Sequence, residues 1–238
     1  MSELCKWLHR LLEQIPLIRF PFDLNKLPEN GVYFFYEDSE LWGHGGKLKR
    51  IVRVGTHRQG NFRKRINQHY LLDDRKMNFD SNKPKPSDWS ILRENIGRAL
   101  LYRDNDKYLK IWNRSFTKII EREKFAKNRN IRKEKNLEVV ITKIIRDNFS
   151  FRLLIFEDEY SRIGSKGIES SLISLLAGCE LCIPTTNWLG NYSPDNRIRH
   201  SGLWQVQHVN GSFINSIDKQ IILYAVSETK KWFKHVTK

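Results

Sequence analysis

The stretch from Asn30 to Tyr70 constrains the fold more than any other part of the chain. In Gly31–Glu37, Val32, Phe34 and Tyr36 alternate with Tyr33 and Phe35, so a strand here is apolar on both faces and must be covered on both. Asp38–Lys49 contains Gly43, Gly45 and Gly46 and reads as a hairpin connection. Ile51–Gly55 is a second strand, with Val52 and Val54 expected on one face and Arg53 on the other. Asn61 is a suitable N-cap for the helix that follows, whose buried stripe is Phe62, Ile66 and Tyr70. His69 falls inside that stripe, Arg65 flanks it four residues earlier, and Lys64, Asn67 and Gln68 face solvent. An arginine and a histidine at the rim of a buried face can grip a phosphate.

The rest of the chain reads as elements packed around this unit. Residues 3–15 have helical spacing, ended by Pro16. A mostly helical insertion follows the hairpin and helix. Helices are predicted at Trp89–Tyr102, Tyr108–Ile120 and Leu137–Asp147. Phe149–Phe156 is a third strand, and Gly178 closes a helix over Ile168–Ala177. Glu169 lies within the apolar sector of that helix, and a buried carboxylate needs a donor, a cation or a metal. The segment holding Trp188 and Trp204 is too aromatic for a disordered linker, and a last helix is expected over Ser216–Phe233. No repeat or linker divides the chain.

A formal net charge of +15 over 238 residues favours a polyanionic partner. Between Arg114 and Lys135 there are nine Lys or Arg against three Glu, either a solvated helix face or a surface for a phosphate backbone. With no run of about 18 apolar residues there is no predicted membrane span, and the charged N-terminal helix does not resemble a signal peptide, so a cytoplasmic protein is expected. Cys5, Cys179 and Cys182 are an odd set that suits a reducing compartment. Cys179 and Cys182 form a lone CxxC, which without a second ligand pair nearby reads as two packed core thiols rather than zinc ligands.

The ordered set Gly31-Val32-Tyr33, Val54-Gly55, Arg65-Ile66 with His69, Glu169 on a helix, and Asn187 resembles the GIY-YIG nuclease superfamily. The resemblance implies an α/β (α+β) fold with a small central antiparallel three-stranded sheet flanked by helices. On that frame residues 1–238 form one domain. Residues 1–27 are an N-terminal helix and approach, and 28–75 with 149–191 are the nuclease core. Residues 76–148 are a basic helical insertion and 192–238 a C-terminal helical extension. The second motif reads Arg53-Val54-Gly55, so arginine stands where the family carries its second tyrosine. Arg63 competes with Arg65, which is preferred because Arg-Ile-x-x-His keeps the family spacing.

The resemblance further implies a metal-dependent endonuclease. Glu169 would hold one divalent ion, magnesium or manganese, suited to a carboxylate with waters and phosphate oxygens. Arg65 would stabilise the developing charge, Tyr33 would contact the attacking water, and His69 would assist proton transfer or bind the phosphate. Asn187, or alternatively Asn191, would hold the Glu169 region. Arg53 cannot act as a base but could bind phosphate or the Tyr33 oxygen, and His57 could restore acid–base function. Arg63, Lys64, Arg129, Arg132 and Lys133 are the expected nucleic-acid contacts. Double-stranded DNA is the expected substrate, a restriction or defence enzyme the expected type, and a homodimer the way for one site per chain to cut both strands. An RNA-processing nuclease and a non-catalytic nucleic-acid-binding protein fit the same residues.

Overall fold

The computed structural model describes residues 1–164 and 167–236. The strands are β1 (Ile18–Arg19), β2 (Val32–Leu41), β3 (Lys49–Gly55) and β4 (Phe149–Leu154). They form one antiparallel sheet in the order β1-β4-β2-β3. The sheet therefore has four strands rather than the expected three. The addition is the two-residue β1, where Ile18 and Arg19 face Phe151 and Ser150. Pro16 cannot extend the helix before it, and the backbone after it pairs with the edge of β4.

Helices cover both faces. They are α1 (Ser2–Leu12), α2 (Phe62–Tyr70), α3 (Ile91–Arg103), α4 (Leu109–Trp112), α5 (Ile119–Phe125) and α6 (Ile131–Asn148). After β4 come α7 (Glu159–Arg162), α8 (Ile168–Ala177), α9 (Asn196–Ser201) and α10 (Ser216–Val236). One core joins α1, α8 and α10 to Val32, Phe34 and Tyr36 of the sheet. The other joins α2, α3, α6, Trp188 and Trp204 to Tyr33 and Phe35. The strict alternation of β2 thus feeds two separate cores, as expected of a strand covered on both sides.

β3 does not alternate throughout. Its register steps from Phe35 opposite Arg53 to Tyr36 opposite Ile51, leaving Val52 as the extra residue of a bulge. Val54 packs into the first core and Val52 into the second, so the two valines do not share a face. The expected helix over Tyr108–Ile120 is split into α4 and α5 across Asn113–Ser115, polar residues that compete for the backbone. α6 starts earlier than apolar spacing suggested because the Asn130 side chain accepts the Lys133 N–H as an N-cap. Asn61 makes no such bond. Its amide donates to the Gln59 carbonyl at 2.9 Å.

The insertion is tied to the core by a buried ion pair. Arg93 Nη2 and Glu138 Oε2 are 2.6 Å apart, both side chains 0% exposed. Arg93 also donates to the His69 carbonyl and Thr142 Oγ1, and Glu138 accepts the Ser87 N–H. α6 passes into β4 with no residue between them. No helix among the described residues is long and apolar enough to cross a membrane.

Candidate active site

The site lies where β2 begins and β3 ends, with Tyr33 opposite Gly55. The Tyr33 hydroxyl is 2.8 Å from His69 Nε2, and His69 Nδ1 is 2.7 Å from Ser90 Oγ. All three residues are buried. Ser90 is the N-cap of α3 and also receives the Arg93 N–H. The chain works in either tautomer. Nε2 accepts the phenolic proton when Nδ1–H donates to Ser90, and donates to the phenol oxygen when Ser90 donates to Nδ1.

Burial, then the Arg65, Arg53 and Arg93 charges, hold His69 well below its ordinary value of 6.5. Its imidazole is therefore neutral in the folded protein and pairs with the Tyr33 hydroxyl as a hydrogen-bond partner. A depressed histidine makes its stability contribution in full above its unfolded value, and loses it as pH falls through that value toward the native one. Urea unfolding midpoints should therefore drop between pH 7 and pH 5, and the drop should be smaller in His69→Asn.

Gly55 is required by contact rather than by torsion. A Cβ at Gly55 would lie 2.1 Å from the Tyr33 hydroxyl oxygen. Gly55→Ala should displace that hydroxyl from His69, and a change in the His69 ring resonances of the variant would check it.

Arg53 sits on the Tyr33 face and is only 5% exposed. It donates to the Trp204 carbonyl and acts electrostatically on Tyr33, while its Nε has no partner among the described residues. Burial lowers its pKa, yet a guanidinium stays charged. The bulge at Val52 makes room for this. Trp204 N–H donates to the Val52 carbonyl at 2.7 Å, and Gln205 Oε1 accepts the Val54 N–H at 2.9 Å, covering the edge of β3.

Glu169 reaches the site from the first turn of α8. Its Oε1 accepts the Thr56 N–H at 3.2 Å, and Oε2 has no hydrogen bond among the described residues. Burial raises its pKa, against the pull of Arg53, the Thr56 N–H, His208 and Arg65. A half-buried carboxylate with one oxygen open, facing two arginines, fits a hard cation that also carries water and phosphate oxygens. Arg162, fully buried, pins the loop below it by donating to Thr56 Oγ1, the His57 carbonyl and Gln59 Oε1. Ser90, Thr56, Arg162, Gln205 and His208 were not singled out in the sequence. His208 is held beside Glu169 by α8, its Nδ1 3.2 Å from Ser170 Oγ and its carbonyl accepting from Ser174.

The other expected residues divide. Arg65 donates to the Trp89 carbonyl at 2.8 Å and acts electrostatically on Arg53, His57, His69 and Glu169. Arg63 instead donates Nε–H to the Leu27 carbonyl at 2.6 Å. His57 is half-buried, its pKa lowered by burial and then by Arg65 and Lys64. Asn187 is exposed, and its neighbours Thr185 and Trp188 donate to Glu40 and Glu37. Glu40 lies seven residues along β2 from Tyr33, roughly 23 Å at strand rise. The structure therefore does not bring Asn187 to Glu169. Nor does it bring Asn191, whose amide donates to the Thr185 and Thr186 carbonyls.

Of the expected nucleic-acid contacts, Lys64 and Arg132 are exposed. Lys133 pairs with Asp106. Arg129 is not available as a phosphate contact. It is buried, paired with Glu134 at 2.6 Å, and donates to the Ser81 and Lys83 carbonyls.

Comparison with known proteins gives one positive result. A family model described as a GIY-YIG domain matches residues 4–229, and so includes the insertion and most of the C-terminal extension. No curated protein and no solved structure gives a significant match. With a match over most of its length, and with Tyr33, Gly55 and Glu169 converging at one end of the sheet, the chain belongs to the GIY-YIG nuclease family.

Proposed function

We propose that the chain is a divalent-metal-dependent endonuclease that hydrolyses phosphodiester bonds in double-stranded DNA. The observation that carries this is the buried Tyr33–His69–Ser90 hydrogen-bonded chain beside Arg53, whose charge also acts on Glu169. Tyr33, its hydroxyl held by neutral His69 with Ser90 fixing the ring, contacts the attacking water and as a phenolate would take that water's proton. Arg53 stabilises the phenol oxygen as its proton leaves. Arg65, oriented by the Trp89 carbonyl, lies against the phosphoryl oxygens where negative charge grows. Glu169 would hold the metal, magnesium or manganese, which would supply Lewis-acid stabilisation of the phosphate. Arg53, in this reading, takes over the electrostatic part of the missing tyrosine and none of its proton transfer.

Incubation with supercoiled plasmid tests the reading. Nicking or linearisation with magnesium, stopped by chelator and restored by added magnesium, is expected. A gel shift with intact plasmid under all metals would favour the non-catalytic binder that Arg53 suggests. RNA cleaved in preference to DNA would move the substrate class. Arg65→Ala should lower cleavage by about 100-fold or more, whereas Arg63→Ala should act on stability. Reversal of those two effects would shift the assignment to Arg63. A restriction or defence role fits a basic insertion built into the nuclease core, and it predicts cleavage at fixed sites, visible as discrete fragments.

A further inference from the structure

The CxxC does not stand alone once the chain is folded. Cys5 from α1, His44 from the β2–β3 connection, and Cys179 and Cys182 from the turn after α8 converge, their ligand atoms all within 4.8 Å of one another. Cys5 Sγ is 3.7 Å from Cys182 Sγ, and Cys179 Sγ is 3.4 Å from His44 Nε2. All three cysteines are free and buried. Zinc–sulfur bonds of about 2.3 Å and zinc–nitrogen bonds of about 2.0–2.1 Å give tetrahedron edges of roughly 3.8 Å between sulfurs and roughly 3.6 Å between sulfur and nitrogen. The two edges, 3.7 and 3.4 Å, lie within about 0.2 Å of these values. We propose that Cys5, His44, Cys179 and Cys182 form a structural zinc site, a Cys3His set contributed by three segments far apart in sequence. The two thiols are packed in the core as expected, and the second ligand pair is distant in sequence and adjacent in space.

The hairpin connection and the turn after α8 meet closely beside the four ligands. The hairpin connection can come this close only because residue 43 is glycine, since a Cβ there would lie 1.5 Å from the Leu181 carbonyl oxygen. His9 supplies an outer contact. Its Nε2 must accept the Ile51 N–H, at 3.3 Å, so Nδ1 carries the proton. That N–H donates to the Cys5 carbonyl at 2.9 Å and faces the Cys5 sulfur at 3.6 Å. Both His9 nitrogens are thus engaged, which leaves His44 as the nitrogen ligand. With no open position in a Cys3His set, the ion would be structural, joining α1, the hairpin end and the C-terminal end of α8.

The site is independent of the nuclease reading, and its test reads metal rather than cleavage. The full chain, purified without chelator, should carry about one zinc that survives dialysis, and cobalt substitution should give the intense thiolate-to-metal absorption of a tetrahedral site. Glu169→Gln should carry the same zinc. Cys179→Ser with Cys182→Ser should lose it, and His44→Cys should keep it, since four thiolates also suit zinc. The His44→Cys result preserves the test if the double serine variant fails to fold. A folded wild-type chain that binds neither zinc nor cobalt, with three thiols that react freely, would overturn the assignment. So would iron with sulfide at this position.

Discussion

Replacing Glu169 with glutamine is expected to abolish metal-dependent plasmid cleavage, a fall of at least about 1,000-fold, while DNA binding in a gel shift stays within a few-fold of the parent. Glutamine keeps the shape and can still accept the Thr56 N–H, so the loop at the end of β3 should hold its place. What is lost is the negative charge that recruits the cation. Because burial raises the carboxyl above the ordinary range, the parent should lose magnesium affinity on acidification earlier than an exposed glutamate would. The variant should show neither the affinity nor the acid dependence. Isothermal titration with magnesium at several pH values measures both, and full cleavage by the variant would sink the metal role of Glu169.

The largest expected effect on stability lies in the insertion. Glu138→Ala leaves the Arg93 guanidinium buried without its carboxylate, which should destabilise the fold by roughly 3–5 kcal/mol in chemical denaturation. Arg93 also donates to the His69 carbonyl, so the same change should loosen α2 and weaken the Tyr33–His69 hydrogen bond. Joint replacement by Arg93→Met and Glu138→Leu should cost much less, because no charge is then stranded. If the single and double variants are equally unstable, the pair is packing and not electrostatics.

Local patterns were legible and long-range partnerships were not. Alternation in β2, the stripe of α2 and the bounds of α8 follow from spacing alone, because each is set by residues a few positions apart. Those patterns also placed Tyr33 and His69 on facing buried surfaces and Glu169 in the apolar sector of α8. The bulge at Val52 depends on how Trp204 and Gln205 lie along the edge of β3, about 150 residues away, which a period-two reading cannot contain. Arg129 looks like every other cation of the basic run, and only the approach of Glu134 and two carbonyls draws it inside. Asn187 matched by order along the chain, but the bonds of Thr185 and Trp188 to β2 settle where that loop sits. The fourth strand is two residues long, too short to leave a pattern.

The direct passage of α6 into β4 has a consequence for how DNA would be handled. A helix that becomes a strand without an intervening residue leaves no loop at that junction between the helical segment and the sheet. If that segment gripped the duplex, α6 and the sheet would move together. Such a nuclease would cut at a fixed interval from whatever it grips, and any adjustment of that interval would have to come from bending of the DNA.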